Sequence, residues 1–301
     1  MNRKSSNVRV KKGRLEQQKS GYLMILPSYL IYTLFTLIPI IWTIVMSFTN
    51  YNLNTAEFVG LKNYQKMLTD TLFQSSVLHT LQYSILTVPI AMVLGLALAM
   101  LLNRKIAGRP FFRTIFYMPN ILSMVAISMA WLYLYDTNSG ILNRILKEIG
   151  LSPVQWLSSS GMAMISVAIM SIWSTLGYNM VVFLSGLQSI PEHLYEAASI
   201  DGANAWTKFT KITLPMLSPT TFFIFVMACI RSFQVFGQVL ILTNGGPLNS
   251  TTTIAHQIYR NGFEFYEMGY ASSQAVVLLI IILAITIINM KFGKGEENDL
   301  A

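Results

Sequence analysis

Residues Glu196–Pro219 read EAASIDGANAWTKFTKITLPMLSP and form a charged, amphipathic segment between two long apolar runs. Ser189 and Glu192 have the Ser-x-x-Glu spacing of a capping box, which predicts a helix that begins near Ile190. Gly202 follows residues that suit a helix, and glycine readily adopts the left-handed conformation that ends one. The first part of this segment is therefore predicted to be a short helix that ends at Gly202.

A second helix is predicted over Asn204–Thr213, because Trp206, Phe209 and Ile212 then lie near one another along the helix axis. Pro215 follows at the start of the next apolar run, where a missing backbone N–H costs little. The two helices predict a helix-turn-helix elbow, here defined as residues 188–213, that lies against the end of a membrane bundle.

The spacing of this segment resembles the cytoplasmic EAA loop of permeases from bacterial binding-protein-dependent ATP-binding-cassette importers. The matching positions are Glu196, Ala197, Ala198, Asp201, Gly202, Ala203, Phe209, Ile212, Pro215 and Pro219. The resemblance implies that the elbow couples the membrane bundle to an ATPase subunit and that Glu196 faces a cleft of that subunit. The alternative is a solvated interfacial helix pair that only closes the bundle.

Composition independently indicates a polytopic membrane protein. The 301 residues are 53% hydrophobic and only 11% charged, whereas a soluble domain has about 25% charged residues. The net charge of +8 is concentrated before the first apolar run, where seven basic residues lie within the first 19. This placement predicts a juxtamembrane basic tail rather than a nucleic-acid-binding surface. Cys229 is the only cysteine and lies in an apolar run, so no disulfide is expected.

Six apolar runs are long enough to cross a bilayer, so the predicted fold is all-α with six transmembrane helices and the elbow as a coupling loop. The runs are approximately Tyr22–Phe48, Val77–Leu102, Thr114–Tyr135, Met162–Leu187, Met216–Ile241 and Ala271–Met290. The predicted organisation is a basic tail (1–20), a first helix with its outer loop (21–76), a permease core (77–290) and a second tail (291–301).

The distribution of Lys and Arg predicts the orientation. With the N-terminus inside, fifteen basic residues lie in cytoplasmic segments and five in outer loops, while Arg231 lies within the fifth span. Positive charge accumulates on the cytoplasmic side of membrane proteins. Both termini and the elbow are therefore predicted to be cytoplasmic, in a multi-pass protein of the cell membrane.

Three further stretches resemble the carbohydrate branch of the same permease superfamily, which is also called MetI-like. Residues 58–64 (FVGLKNY) are similar to an outer-loop motif of sugar permeases, residues 102–113 to a basic turn that includes Lys105, and residues 242–247 (LTNGGP) to a loop of the first of two paired permeases. With the elbow, the resemblance covers residues 27–290. It implies the permease subunit of an ATP-driven sugar importer, similar to the maltose, glycerol-3-phosphate and multiple-sugar systems.

The resemblance also implies the partners: a second, homologous permease, two ATPase subunits that bind the ATP, an extracytoplasmic solute-binding protein and a carbohydrate substrate. The sequence has no P-loop, no histidine pair with metal-ligand spacing and no nucleophile elbow, so neither a cofactor, a metal nor enzymatic activity is expected in this chain. An ion-coupled carrier or channel is the alternative, but no acidic residue lies within a predicted span. A membrane scaffold without a transport role is a third possibility.

Polar and aromatic residues in the fourth and fifth spans are the candidate substrate contacts. They are Trp173, Ser174, Tyr178 and Asn179 in the fourth span and Arg231, Ser232 and Gln234 in the fifth. Aromatic faces stack on sugar rings, and hydroxyl and amide groups bond to sugar hydroxyls; the alternative is packing and hydrogen bonding between helices. Arg231 is expected either to reach the outer boundary or backbone carbonyls, or to meet an anionic group of the cargo.

Overall fold

The computed structural model describes residues 22–104 and 106–298, and the side chains among them as far as Lys291. The predicted basic tail, Lys105 and the last three residues lie outside this part. Apart from one antiparallel bridge between Thr49 and Phe58, the regular structure is helical throughout the described ranges. The helices are α1 (Tyr22–Met46), α2 (Lys62–Thr69), α3 (Thr71–Asn103), α4 (Arg109–Ile121), α5 (Met124–Leu134), α6 (Ile141–Glu148), α7 (Ser160–Ser189), α8 (Glu192–Ile200), α9 (Ala205–Met216), α10 (Ser218–Phe233), α11 (Gly237–Leu242), α12 (Ile254–Tyr259) and α13 (Met268–Asn298).

Helix α7 is the central element of the bundle and packs against α3, α4, α10 and α11. Its two halves belong to two separate hydrophobic clusters. Met164, Val167 and Met170 pack with residues of α3, α5 and α11, and Met180 and Phe183 pack with residues of α3 and α10. The segment between these clusters, residues 171–179, is the polar part of the helix.

Two glycines allow the neighbouring backbones to approach α7 closely. A Cβ atom on Gly177 would lie 2.0 Å from the carbonyl oxygen of Phe116 in α4. A Cβ atom on Gly95 of α3 would lie 2.6 Å from the Cβ of Asn179. Small residues serve this purpose in membrane bundles, where dispersion contacts and hydrogen bonds between helices replace the hydrophobic effect.

The predicted spans agree with helices α1, α3, α7 and α13, which are each long and apolar enough to cross a membrane. The membrane-spanning, all-α fold class is confirmed, with four such helices and up to six spans if two bent pairs are counted within the described residues. Helix α13 continues to Asn298, well past the predicted boundary at Met290. The proposed division into four regions stays a prediction.

The third predicted span is wrong as a single helix. Helices α4 and α5 meet at an angle of 98°. Leu122 and Ser123 between them have extended backbone, with ψ of 153° and 129°. Pro119 lies in the last turn of α4, where it lacks the N–H that would bond to the preceding turn and therefore weakens the helix just before the break.

The fifth predicted span is also interrupted. Helix α10 ends at Phe233, residues 234–236 are not helical, and α11 continues as a six-residue helix. At about 1.5 Å per residue, α10 is roughly 24 Å long, shorter than a hydrocarbon core of about 30 Å. At its other end α10 meets α9 at 63°, with the break at Leu217 rather than at Pro215.

Two prolines are accommodated by wide helical turns that precede them. A π turn over Thr33–Leu37 comes before Pro39, and another over Phe209–Thr213 comes before Pro215. A proline ring clashes with the carbonyl four residues earlier in a regular α-helix, and a turn closed by i→i+5 bonds moves that carbonyl away. The chain thus continues through both prolines as helix.

The motif FVGLKNY closes the first loop against the bundle. Asn63 is buried and donates from Nδ2 to the carbonyl oxygens of Ser47 and Thr49, both at 2.9 Å. The Tyr64 hydroxyl lies 2.7 Å from Ser47 Oγ, and Gly60 has a left-handed φ of 59°. The motif therefore has a structural role at the end of the bundle opposite the elbow.

The GGP loop lies at the same end and is held from within. His256 is buried and its Nε2 lies 3.2 Å from Asn244 Oδ1. Gly245 has φ of 80°, and a Cβ there would lie 2.6 Å from Thr252 Oγ1. Burial lowers the pKa of His256 because it disfavours the charged imidazole, and the charge of Arg260 adds to this effect.

We predict that Gly177→Ala destabilises the bundle although alanine is the better helix former. The added methyl would overlap the backbone of α4, and overpacking of this kind costs about 1–3 kcal/mol. Gly161→Ala is the matched control, because the nearest atom to a Cβ there is Ser159 Oγ at 4.0 Å. Thermal unfolding in detergent should show a lower midpoint for Gly177→Ala alone. Equal midpoints for the two variants would contradict the close approach at Gly177.

Candidate functional site: a polar cavity and the elbow

A polar stripe on α7 lines a cavity in the middle of the bundle. The stripe consists of Ser171, Ser174, Thr175, Tyr178 and Asn179, which are spaced i, i+3, i+4, i+7 and i+8. Residues at this spacing share one face of an α-helix. The stripe lies between the two hydrophobic clusters of α7, so the packing above and below it fixes its position.

The breaks in two spans contribute further walls to the same cavity. Pro119, Asn120, Leu122 and Met124 line it around the α4/α5 break, and Gln238 lines it just beyond the gap between α10 and α11. The cavity has a volume of about 290 Å³. Interrupted helices at membrane depth are tolerated where they border a cavity, and such breaks are typical of binding sites in transport proteins.

Arg231 stacks on Tyr178 at the cavity wall. Its guanidinium carbon lies 4.3 Å from the centre of the Tyr178 ring, which is a cation–π contact. The side chain is exposed to the cavity and makes no salt bridge with any described carboxylate. The Arg231 guanidinium thus lies at the cavity wall, and its contact with an anionic group of the cargo stays a prediction.

Five of the seven predicted substrate contacts line the cavity, and two do not. Ser174, Tyr178, Asn179, Arg231 and Ser232 are lining residues. Trp173 points to another face of α7, where its ring lies 5.6 Å from that of Trp131. Gln234 is the C-cap residue of α10, and its backbone N–H bonds to the last turn of that helix. Its side chain is exposed and does not line the cavity. Their assignment as substrate contacts gains no support from this geometry.

Several lining residues were missed by the sequence analysis. They are Tyr83, Thr87, Asn120, Ser171, Thr175 and Gln238. Ser171 and Thr175 share the helical spacing of the predicted residues on α7, because each lies three residues before one of them. The i, i+3, i+4 pattern of the sequence could therefore have identified both. Asn120 and Gln238 lie beside the breaks in the third and fifth predicted spans. Hydropathy alone predicts each of these spans as one continuous helix, so it does not indicate that these residues border a cavity.

The elbow is a rigid pair of short helices. Helix α8 ends with a Schellman motif, in which the N–H of Gly202 bonds to Ser199 O at 3.2 Å and the N–H of Ala203 bonds to Ala198 O at 2.8 Å. Gly202 has the predicted left-handed backbone, with φ of 76°. Helix α9 starts at the N-cap Asn204, whose Oδ1 accepts from Thr207 N at 2.8 Å. The predicted turn at Gly202 is confirmed.

The predicted capping box is wrong. Ser189 is the last residue of α7, and its hydroxyl donates to Gly186 O at 2.7 Å, within its own helix. Helix α8 begins at Glu192 with Pro191 as its N-cap, so it starts two residues after Ile190. Because α7 extends to Ser189 and the Ser189 hydroxyl bonds within α7, that hydroxyl does not cap α8.

Side chains fix the angle between α8 and α9. The Tyr195 hydroxyl lies 2.9 Å from Thr213 Oγ1, and Lys208 Nζ donates to Ser199 Oγ at 2.6 Å. The rings of Trp206 and Phe209 are 5.8 Å apart, as their spacing predicted. Glu196, Ala197 and Asp201 are exposed, while Ala198, Ala203 and Phe209 are partly covered.

Large apolar side chains remain uncovered on the elbow. Ile200 is 86% exposed and Trp206 is 71% exposed. Exposed apolar groups next to charged ones are typical of surfaces that bind another protein. A membrane bundle with a polar cavity between broken spans and a rigid, partly apolar helix pair at one end defines a membrane transport subunit.

Comparison with known proteins gives the family. Residues 91–292 match the family described as binding-protein-dependent transport system inner membrane component. The probable ABC transporter permease protein YurN of Bacillus subtilis is 36% identical over 283 residues, which are 92% of this chain and 97% of that protein. The trehalose/maltose transport system permease protein MalF of Thermococcus litoralis is 33% identical over 95% of this chain and 97% of its own. The chain belongs to this family of transport permeases.

A solved structure supports the same assignment. It is that of a bacterial alginate ABC transporter in complex with an alginate pentasaccharide-bound periplasmic protein, with a TM-score of 0.82 and 25% identity over 92% of this chain and 94% of that one. This chain is accordingly a multi-pass membrane permease and not an enzyme, as the sequence predicted. The family assignment also favours the permease interpretation over an ion-coupled carrier, a channel or a scaffold.

We predict that the cavity at Tyr178 is accessible to water. Tyr178→Cys in a Cys229→Ala background should react with a water-soluble maleimide, because the thiolate that reacts needs hydration. Ser128→Cys in the same background is the control, since Ser128 is completely buried. Mass spectrometry of the purified protein measures both rates. Equal labelling of the two cysteines would contradict an accessible cavity.

Proposed function

We propose that this chain conducts a carbohydrate across the cell membrane as one of two permease subunits in an ATP-driven importer. The observation that carries the proposal is the polar cavity, where the α7 stripe, Tyr178 and Arg231 meet the two broken spans. Hydroxyl, amide and aromatic groups in one cavity match the hydroxyls and apolar faces of a sugar ring. The trehalose/maltose permease and the alginate transporter among its relatives support the substrate class.

The proposed orientation places the elbow and both termini in the cytoplasm, from the excess of basic residues on that side. Two ATPase subunits then dock on the elbows of this chain and of a homologous second permease, and they bind the ATP. A solute-binding protein delivers the sugar at the opposite end, as the alginate complex suggests by analogy. The uncovered Ile200 and Trp206 fit the docking role of the elbow.

Coupling follows from the rigidity of the elbow. Because the Schellman turn and the Tyr195–Thr213 contact hold α8 against α9, a displacement of α8 by the ATPase moves α9 with it. Helix α9 leads through Leu217 into α10, which carries Arg231 and Ser232 to the cavity. ATP binding can thereby bias the cavity between inward-open and outward-open states, to the extent that the ATPase contacts differ between those states.

Copurification tests whether this chain is a subunit of an ATP-driven importer. A tagged form of this chain, expressed with the products of neighbouring genes, should retain a second permease and two ATPase subunits in detergent. Uptake of labelled sugars by vesicles that contain the complex should require ATP inside and the binding protein outside. A chain that purifies alone and transports without ATP would contradict the proposal.

The elbow yields a prediction with two matched controls. Glu196→Lys should uncouple ATP hydrolysis from uptake because it places a positive charge where the ATPase docks. Gly202→Val should do the same, since a β-branched residue in the left-handed region costs about 1–2 kcal/mol and distorts the turn. Glu148→Lys and Gly150→Val make the same changes on α6 and on the left-handed glycine that follows it, away from the elbow.

Uptake and ATPase activity are measured together for the four variants. We expect the Glu196 and Gly202 variants to lose most uptake while the two controls keep it. Normal uptake with normal ATPase stimulation in both elbow variants would contradict the coupling role. Equal losses in Gly202→Val and Gly150→Val would instead indicate a general effect of strain on folding.

Arg231 yields the second prediction, which concerns the charge of the cargo. Its guanidinium faces the cavity without a carboxylate partner among the described residues, and a uronate or phosphate would supply one. Arg231→Gln should then lower uptake of an anionic sugar by roughly 10- to 100-fold, the equivalent of about 1.5–3 kcal/mol, and leave neutral sugars unchanged. Arg260→Gln, which removes an arginine stacked on Phe265 outside the cavity, is the control. Equal effects of Arg231→Gln on both kinds of sugar, or none on either, would contradict charge selection.

A further inference from the structure

Two arginines at the start of α4 converge on one neutral side chain. In the orientation that satisfies the Gln188 amide, its Oε1 accepts from Arg109 Nη2 and, at 3.1 Å, from Arg113 Nη2. The Nε atoms of both arginines are shielded from solvent and have no hydrogen-bond partner. Neither guanidinium forms a salt bridge within residues 22–104 and 106–298. Two positive charges therefore share a single uncharged acceptor.

The local backbone adds to the positive potential. Arg109 and Arg113 lie in the first two turns of the thirteen-residue helix α4, whose N-cap is Gly108 with no capping side chain. The N-terminus of a helix carries a partial positive charge, so cations are normally disfavoured there. An anion at this position would compensate both guanidinium groups and the helix end together.

An apolar groove starts at Arg113 and runs along α4. It has a volume of about 420 Å³ and is lined by Arg113, Thr114, Tyr117, Met118, Ile121 and Val181. From Arg113 to Ile121 the groove extends for about 12 Å along the helix axis, at 1.5 Å per residue. Phe111, on the turn beside the arginines, is 65% exposed, as are many aromatic residues at a membrane interface.

We propose that this surface binds an anionic phospholipid, with its phosphate on Arg109 and Arg113 and an acyl chain in the groove between α4 and α7. Charge complementarity selects the headgroup, because basic clusters at a membrane boundary attract anionic lipids. The groove continues directly from the charge into the apolar part of the helix, which is the arrangement of a phospholipid. Its place at the elbow end puts the lipid in the inner leaflet, a point that rests on the orientation proposed above.

The proposed lipid site also lies next to the helices that connect the elbow to the cavity. Gln188 is the penultimate residue of α7, and α8 of the elbow begins four residues later. Helix α4 packs on α7 through Gly177 and continues to the break that borders the cavity. A lipid bound here would hold the end of α7 against α4, so the lipid composition of the membrane would affect the element between elbow and cavity.

Native mass spectrometry of the purified, delipidated transporter tests the proposal. Phosphatidylglycerol and phosphatidylcholine with identical acyl chains are titrated separately. The unmodified protein should bind phosphatidylglycerol more tightly, and Arg109→Gln/Arg113→Gln should weaken that binding roughly tenfold or more without an effect on phosphatidylcholine. Arg144→Gln/Lys147→Gln removes two exposed basic residues from α6 at the other end and should change nothing.

A second variant tests the groove independently of the charges. Met118 is half exposed in the groove wall, so Met118→Trp fills the groove without altering the core, and it should weaken binding of phosphatidylglycerol as well. Unchanged phosphatidylglycerol affinity in both variants would overturn the proposal. So would a loss of the second permease, rather than of lipid, from the Arg109→Gln/Arg113→Gln complex, because the surface would then be a protein interface. The ATPase subunits are counted in the same spectra, so their absence would contradict the proposed function and leave the lipid result standing.

Discussion

The close approach of α4 and α3 to α7 is the constraint on which the rest of the structure depends. Gly177 lets the backbone of α4 contact α7, and Gly95 lets α3 approach at Asn179, one turn or less from the same point. These contacts lie at the level of the polar stripe, where no apolar cluster holds the helices together. A larger residue at either position would separate the helices at the cavity itself. The two hydrophobic clusters hold the helices together on either side of the polar stripe, and the glycines set the distance between the helices at the stripe itself.

The cavity and the elbow are connected by short paths through this framework. Helix α7 runs from the cavity stripe to Ser189, and helix α8 of the elbow follows at Glu192. Helix α10 runs the other way, from Leu217 at the elbow to Arg231 and Ser232 at the cavity. A Cβ on Gly186 would lie 2.7 Å from Thr220 Oγ1, so α7 and α10 are in close contact just before they reach the elbow. A displacement of the elbow, as proposed for coupling, would therefore reach the cavity through two helices that are packed on each other.

Much of the fold could be predicted from sequence because apolar runs of sufficient length have one stable arrangement in a membrane. The four unbroken spans and the turn at Gly202 follow from hydropathy and from the freedom of glycine. The breaks at Leu122–Ser123 and after Phe233 could not be predicted that way, because hydropathy is averaged over a window of about 19 residues and the few polar residues at each break are outweighed by their apolar neighbours. The capping box failed because α7 extends to Ser189 and uses its hydroxyl. Trp173 was assigned to the cavity by its neighbours, but a helix places adjacent residues 100° apart, and its ring instead packs on Trp131.

The wide turn before Pro215 determines which way the elbow faces. A π turn is equivalent to one extra residue in an α-helix, and one residue corresponds to a rotation of about 100° around the axis. Without the turn over Phe209–Thr213, α8 and the exposed Trp206 would be rotated by this angle relative to α10. The length of a single helical turn thus sets the direction of the surface on which we propose that the ATPase docks. A deletion of one residue there would leave a helix that leads into Pro215, but it would shift the spacing of Phe209, Ile212 and Pro215 and turn the elbow away from the side on which we propose that the ATPase docks.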